Sequence, residues 1–187
     1  MSRPGIKASV AAAAASAGAA QRPHVLLVNH ASYLDAIVLT AILPPVPGYT
    51  FTARRALLTG PGVIFIERVD AKRKTGDVDV MAAALLRGDS LLVLPEGTFS
   101  CEPGLKPFHA GAFLAAAKAG VPVVVAGLRG TRHASRDETW LPRRSRIEFE
   151  LGPLLMPAGR DWATVARMRD EARKAMVPLC GEYDPLA

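Results

Sequence analysis

The chain has 187 residues, which suits one domain, and 50% of them are hydrophobic while only 6% are aromatic. Its 23 basic and 17 acidic side chains give a formal net charge of +6, which favours an anionic partner: nucleic acid, a phosphorylated substrate or an acidic membrane surface. The two cysteines, Cys101 and Cys180, exclude a disulfide framework and lack metal-ligand spacing. We therefore expect no metal site and a reducing, cytoplasmic environment.

The first 22 residues form an alanine-rich segment that we interpret as a flexible leader or linker, helical or unstructured. Its apolar stretch is shorter than the roughly 20 residues that a membrane-spanning helix requires. We expect residues 23–187 to form a single domain. If the protein contacts a membrane, we expect it to lie on the surface.

Short apolar runs alternate with helical patterns along that domain. The predicted strands are 24–28, 49–53, 63–66, 91–94 and 121–128, followed by an alternating edge strand over 147–151. The predicted helices are 32–43, 77–87, 111–119 and 162–176; the last carries an apolar stripe of Trp162, Val165, Met168, Ala172 and Met176. Apolar strands that alternate with helices are typical of an α/β domain, with a mostly parallel central sheet flanked by helices.

A histidine and an aspartate follow the first predicted strand. His30 and Asp35 are too far apart in angle to meet on one ideal helix. They can meet if His30 lies in the turn after the strand and Asp35 in the first helical turn. Asp35 would then fix the imidazole tautomer and leave the other nitrogen to accept a substrate proton. An ordinary helix cap formed by Ser32 and Asp35 explains the same residues, so the spacing alone leaves both interpretations open.

Two further segments place polar residues at predicted strand ends. Glu96 and Gly97 follow the strand at 91–94, where ligands bind in open α/β sheets, and Gly97 permits a close backbone approach. Arg68 follows the strand at 63–66 and could bind a phosphate or a carboxylate. A simple turn at 95–98 and a surface pair of Glu67 and Arg68 are the alternatives.

In order and spacing, these segments resemble the glycerolipid acyltransferase family, typified by 1-acylglycerol-3-phosphate acyltransferases. The resemblance extends roughly from residue 24 to residue 176. It is carried by residues 29–35, 62–68, 95–98 and 121–125, with additional similar residues at 103–108 and 111–113.

The resemblance implies that His30, oriented by Asp35, deprotonates the acceptor hydroxyl, which attacks the thioester of acyl-CoA or an acyl carrier protein. No acyl-enzyme and no bound cofactor are expected. The implied substrate-binding residues are Gly62, Arg68, Glu96, Gly97 and Thr98. The implied role is lyso-glycerolipid O-acylation in phospholipid biosynthesis. We expect a lyso-lipid acceptor, an acyl thioester donor, and peripheral attachment to the inner face of the membrane, with no nucleic acid as partner.

The chain departs from the family pattern at three places. Phe99 stands where the family usually has an arginine, Val125 replaces a second proline, and the segment before Gly62 is several residues short. The loss of the arginine favours a lyso-lipid acceptor other than lysophosphatidate as an alternative. The short segment leaves a non-catalytic lipid-binding module as another. A serine hydrolase is disfavoured because no Gly-x-Ser-x-Gly turn is present, and nucleic-acid binding has no motif to support it.

Overall fold

A central sheet organises the part of the chain that the computed structural model describes, namely residues 7–8, 23–43, 49–53, 63–65, 74–100, 102–135 and 143–186. The described strands are β1 (Lys7–Ala8), β2 (Val25–Val28), β3 (Tyr49–Ala53), β4 (Val63–Phe65), β5 (Ser90–Val93), β6 (Val123–Arg129) and β7 (Glu148–Leu155). The described helices are α1 (Leu34–Ile42), α2 (Lys74–Leu86), α3 (Gly111–Ala119), α4 (Thr131–Ala134) and α5 (Trp162–Cys180).

The strand order is β1-β7-β6-β2-β5-β3-β4, and every neighbouring pair is parallel except β6 with β7. This confirms the predicted α/β class with a mostly parallel sheet. Strand β2 is central, with Val25 opposite Leu91 of β5 and Val123 of β6. Because these three strands run in the same direction, the residues that follow them emerge at the same edge of the sheet.

Both faces of the sheet are covered, which explains why the central strands are apolar throughout. Val25 and Leu27 of β2 face one way, into a large core that includes residues of α2, α3 and α5. Leu26 and Val28 face the other way, into a smaller core closed by Val38 and Leu39 of α1. Helix α1 therefore lies on the opposite side of the sheet from α2, α3 and α5.

The predicted elements are present, with differences at their ends. Helix α1 begins at Leu34, two residues later than predicted, and β7 continues to Leu155 as the antiparallel partner of β6. The predicted stripe on α5 is correct for the buried residues Val165, Met168, Ala172 and Met176. It is wrong for Trp162, which is the first residue of the helix and projects into solvent.

Two residues of the predicted leader behave differently from our expectation. Lys7–Ala8 pairs in parallel with β7, where we expected helix or unstructured chain. The other residues before Pro23 lie outside the described ranges, so the division into leader and domain stays a prediction. Among the described helices, none combines the length and the apolarity that crossing a membrane requires.

Helix α5 approaches β6 so closely that a side chain at Gly127 has no room. A Cβ there would lie 2.3 Å from the backbone carbonyl carbon of Leu179. We expect Gly127→Ala to lower the free energy of unfolding by about 1–3 kcal/mol, since strand and helix must separate. Urea denaturation measures the loss. Gly111→Ala is the matched control, because its Cβ would meet Met81 at an ordinary 3.5 Å, and it should change stability by less than about 0.5 kcal/mol.

Candidate active site

The imidazole of His30 and the carboxylate of Asp35 are in direct contact. Strand β2 ends at Val28 and α1 begins at Leu34, so His30 lies in the connecting turn and Asp35 in the first helical turn. His30 Nδ1 is 2.9 Å from Asp35 Oδ2. The structure thus brings the two residues together as the spacing predicted.

Asp35 is fully buried, and one of its oxygens organises the whole turn. Besides the imidazole, Oδ2 accepts the backbone N–H groups of Ala31 at 2.7 Å and Ser32 at 2.8 Å. The hydroxyl of Ser32 accepts the N–H of Leu34 at 3.2 Å. The helix cap predicted at Ser32 is wrong in position, because the N-cap of α1 is Tyr33, which makes no side-chain capping bond. The bonds of Ser32 and Asp35 instead stabilise the turn before the helix, and the same carboxylate orients the histidine. The sequence had presented these as alternatives.

The remaining ring nitrogen of His30 is the chemically available one. Because an ionised carboxylate can only accept, Nδ1 carries the proton and Nε2 is the basic atom of a neutral ring. Within the described ranges, Nε2 has no hydrogen-bond partner, and 16% of the His30 side chain is exposed. The edge of the imidazole packs against Phe99 with ring centroids 5.1 Å apart, and Phe99 in turn packs against Tyr33 at 4.2 Å.

Glu96 fixes the backbone of His30 by a hydrogen bond. Its Oε1 accepts the N–H of His30 at 2.7 Å, and its Oε2 accepts the N–H of Lys106 at 2.8 Å. Burial raises the pKa of the Glu96 carboxyl above its usual value, and the two N–H donors oppose part of that rise. The contact with a substrate hydroxyl that we predicted for Glu96 stays a prediction. The backbone contacts, which the sequence did not predict, make it a positioning residue.

Asn29 fixes the same turn from the opposite side. Its side-chain amide donates to the Leu128 carbonyl at 3.0 Å, and its oxygen accepts the Leu128 N–H at 2.7 Å. The side chain thereby continues the pairing of β2 with β6 past the end of β2. Asn29 belongs to the same sequence segment as His30, but we predicted no role for it, because its partner is 99 residues away.

The other predicted site residues divide into two groups. Gly97 lies in the turn after β5 with a positive φ of 74°, which favours glycine, and Thr98 is exposed with its hydroxyl bonded to the Phe99 carbonyl. The turn at 95–98 that we had offered as an alternative is therefore present, at the same sheet edge as His30. Gly62 and Arg68 lie outside the described residues, so their substrate contacts stay predictions.

The C-terminal tail clamps the β5–α3 loop, which we define as residues 94–110. Glu182 accepts the N–H of Gly104 at 2.6 Å and pairs with Arg132 at 2.8 Å, while the Tyr183 carbonyl accepts the N–H of Leu105 at 3.0 Å. This clamp holds the loop that carries the N–H bonded to Glu96. No local sequence signal identified it.

Arg173 of α5 also binds both the β5–α3 loop and the C-terminal tail. It donates to the carbonyls of Leu105 and Lys106, lies over the ring of Phe108 at 5.3 Å and binds both oxygens of Asp184. The guanidinium of Arg173 holds the pKa of Asp184 below its usual value. Loop, helix and tail therefore meet at one nearly buried ion pair.

Four other arginines late in the described part of the chain also form ion pairs. The described ion pairs are Arg132–Glu182, Arg146–Glu148, Arg167–Glu171, Arg169–Asp170 and Arg173–Asp184. Arg129 instead donates to the carbonyls of Pro178 and Leu179. Arg143 and Arg144 are exposed. Among the described residues, these late arginines are therefore a mixture of ion-paired and exposed cations. In the described ranges, no three His, Cys, Asp or Glu side chains are grouped as metal ligands.

The Arg173–Asp184 pair gives stability a defined pH dependence. A carboxyl whose folded pKa is depressed contributes stability above its unfolded pKa, near 3.8, and that contribution disappears as the pH falls through the folded value. We expect Asp184→Asn to unfold more readily than the parent at pH 7, with the difference shrinking below pH 3.8. Denaturant titrations across this pH range measure it. Asp170→Asn removes the same charge from the exposed Arg169 pair and should cost less at every pH. Equal losses in the two variants would contradict the assignment.

Comparison with known proteins agrees with the geometry. Residues 11–129 match the family model described as Acyltransferase. The chloroplastic 1-acyl-sn-glycerol-3-phosphate acyltransferase BAT2 of Brassica napus is 33% identical over 118 residues, which are 58% of this chain and 33% of that protein. The 1-acyl-sn-glycerol-3-phosphate acyltransferase alpha of Mus musculus is 30% identical over 178 residues, which are 86% of this chain and 60% of that protein.

A solved structure shares the fold. The 1-acyl-sn-glycerophosphate (LPA) acyltransferase PlsC of Thermotoga maritima superposes with a TM-score of 0.64 at 21% identity, covering 82% of this chain and 64% of that one. The chain spans about a third of the length of the Brassica relative and 60% of the mouse relative. Since the family model matches more than half of its residues, the chain belongs to the acyltransferase family.

Proposed function

We propose that the chain catalyses the transfer of a fatty acyl group from a thioester to the hydroxyl of a lyso-glycerolipid. The observation that supports this most directly is the contact of His30 Nδ1 with the buried carboxylate of Asp35, which leaves Nε2 as a partly exposed base. Family membership supports the same reaction class.

The proposed reaction needs only one group that moves a proton. His30 Nε2 accepts the proton of the acceptor hydroxyl, whose oxygen attacks the carbonyl carbon of the thioester. Asp35 stabilises the resulting imidazolium through Nδ1. When the tetrahedral intermediate collapses, the carbon–sulfur bond breaks and the thiolate leaves with the proton from His30. The acyl group never bonds to the protein, so no nucleophilic side chain is required.

The acceptor is proposed to be 1-acylglycerol 3-phosphate or a related lyso-lipid, and the donor acyl-CoA or an acyl carrier protein, in phospholipid biosynthesis. The names of the curated relatives support the phosphate-bearing acceptor. Phe99, at the place of the family's arginine, favours the alternative of a lyso-lipid with another head group. Acceptor profiling with labelled acyl-CoA distinguishes the two.

A serine hydrolase would need a nucleophilic hydroxyl beside the imidazole. Ser32 is buried, and its oxygen accepts the N–H of Leu34. In the described part of the chain, Ser32 makes no hydrogen bond to His30. The geometry therefore favours direct transfer over hydrolysis through an acyl-enzyme.

Catalysis is proposed to take place at the membrane surface, on the cytoplasmic side. Tyr33, at the N-cap of α1, and Ile37, four positions later on the helix, are each 64% exposed, and the ring of Tyr33 packs against Phe99. An apolar pair beside the catalytic base suits contact with lipid tails. Because five late arginines of the described chain form ion pairs, we assign the electrostatic contribution chiefly to the exposed Arg143 and Arg144.

The catalytic roles can be tested by thiol release from acyl-CoA in the presence of a lyso-lipid. We expect His30→Ala and Asp35→Asn each to reduce turnover by roughly 10²- to 10⁴-fold. Asparagine can still present one oxygen to the Ala31 and Ser32 N–H groups, so Asp35→Asn should remain folded. Circular dichroism and thermal melting check this. Normal turnover by His30→Ala would exclude His30 as the base, and undetectable turnover by the parent with every acceptor would favour the lipid-binding module.

Membrane attachment can be tested by vesicle sedimentation. We expect Ile37→Ser to weaken binding roughly tenfold, because the apolar area it would bury in lipid is lost. Val80→Ser is the control: Val80 is also exposed, but it lies on α2, on the opposite side of the sheet. Binding should be stronger to vesicles containing phosphatidylglycerol than to phosphatidylcholine alone, and salt should reduce the difference. Equal binding by the two serine variants would contradict the role of α1.

A further inference from the structure

Position 99 poses a specific problem for an acceptor that carries a phosphate. The family usually provides a cation there, whereas the ring of Phe99 packs against His30 and Tyr33 as part of an apolar wall. A phosphate bound beside this wall needs a positive charge from another residue. Resting on the proposed function, we infer that Lys106 provides that charge and selects an acceptor with a phosphate monoester.

The ammonium group of Lys106 lies next to the position where the arginine is missing. Lys106 Nζ donates to the backbone carbonyl of Phe99 at 3.3 Å, so it reaches the same residue whose ring contacts the catalytic imidazole. Phe99 therefore contacts the ammonium through its backbone carbonyl and the imidazole through its ring. Lysine binds phosphate as a point charge and does not require the planar fork of arginine.

The charge of Lys106 is unmatched, unlike that of the neighbouring cations. Arg132 and Arg173, which also bind the β5–α3 loop, are paired with Glu182 and Asp184. Among the described residues, the Lys106 ammonium forms no ion pair with a carboxylate, and its hydrogen bond is to a neutral carbonyl. One donated bond leaves two ammonium hydrogens for a ligand.

The backbone of Lys106 is fixed while its side chain remains adjustable. Its N–H is bound by Glu96 at 2.8 Å, and its carbonyl accepts from Arg173. The side chain therefore starts from a point tied directly to the backbone of His30 through Glu96. A substitution of the side chain removes the ammonium but preserves both backbone contacts, which makes Lys106 suitable for a clean test.

The test compares Lys106→Met with Lys118→Met, which removes the same charge from an exposed lysine paired with Asp79 on the outside of α3. The probes are a short-chain 1-acylglycerol 3-phosphate and the matching 1-acylglycerol, which differ only in the phosphate. Calorimetric titration without a thioester donor measures binding in the absence of turnover. The KM of each acceptor is then measured with acyl-CoA.

We expect Lys106→Met to weaken binding of the phosphate-bearing probe about 10- to 100-fold and to raise its KM accordingly, with little change in kcat. Binding of 1-acylglycerol should change by less than about twofold, since that probe lacks the charge. Lys118→Met should leave both probes unaffected, and Lys106→Arg should recover most of the affinity for the phosphate.

Two results would overturn the inference: Lys106→Met binding the phosphate-bearing probe as tightly as Lys118→Met, or losing both probes equally, which indicates a disturbed loop. The experiment distinguishes a failure of this inference from a failure of the proposed function. If the parent protein transfers no acyl group but binds the phosphate-bearing probe through Lys106, the anion site stands and the transferase proposal falls.

Discussion

Two buried carboxylates hold one histidine, and the rest of the site depends on that arrangement. An ionised carboxylate in a protein interior is costly unless hydrogen bonds replace its water. Asp35 accepts the N–H groups of Ala31 and Ser32 and the imidazole on Oδ2, whereas its buried Oδ1 has no hydrogen-bond partner among the described residues. Glu96 accepts the N–H groups of His30 and Lys106, one on each oxygen. Asp35 orients the ring, while Glu96 fixes the backbone from which the ring projects. The same bonds that solvate the acids therefore immobilise the base.

The sheet makes this arrangement possible by aligning three strand ends. Strands β2, β5 and β6 are parallel neighbours, so the turn containing His30, the turn containing Glu96 and the end of β6 at Leu128 lie together. Asn29 then joins the first and the last of these through two hydrogen bonds to Leu128. An apolar core on each face leaves the strands little freedom to shift. The turn that contains His30 is thus held in place by the central sheet.

The sequence predicted what depends on local pattern and missed what depends on distant contacts. Apolar runs and helical periodicity identified β2, β5, β6 and α3 almost to the residue, and a five-residue spacing sufficed to pair His30 with Asp35. The bond from His30 to Glu96 spans 66 positions, and no local pattern encodes it. Trp162 was misassigned because helical periodicity identifies a face but does not show where the helix leaves the core.

The support of the site extends beyond the segment that defines the family. The family match ends at residue 129, yet Arg173, Glu182 and Asp184 all lie after it. These residues bind backbone carbonyls and N–H groups of the β5–α3 loop and so fix its position. Within this loop, the N–H of Lys106 donates to Glu96 and fixes that carboxylate in turn. Glu96 then fixes the backbone of His30 by accepting its N–H. Because each step is a bond to backbone, it places few demands on the side chains of the loop. The position of the imidazole is therefore set by bonds to backbone, and the proposed role of the Lys106 side chain requires no change in them.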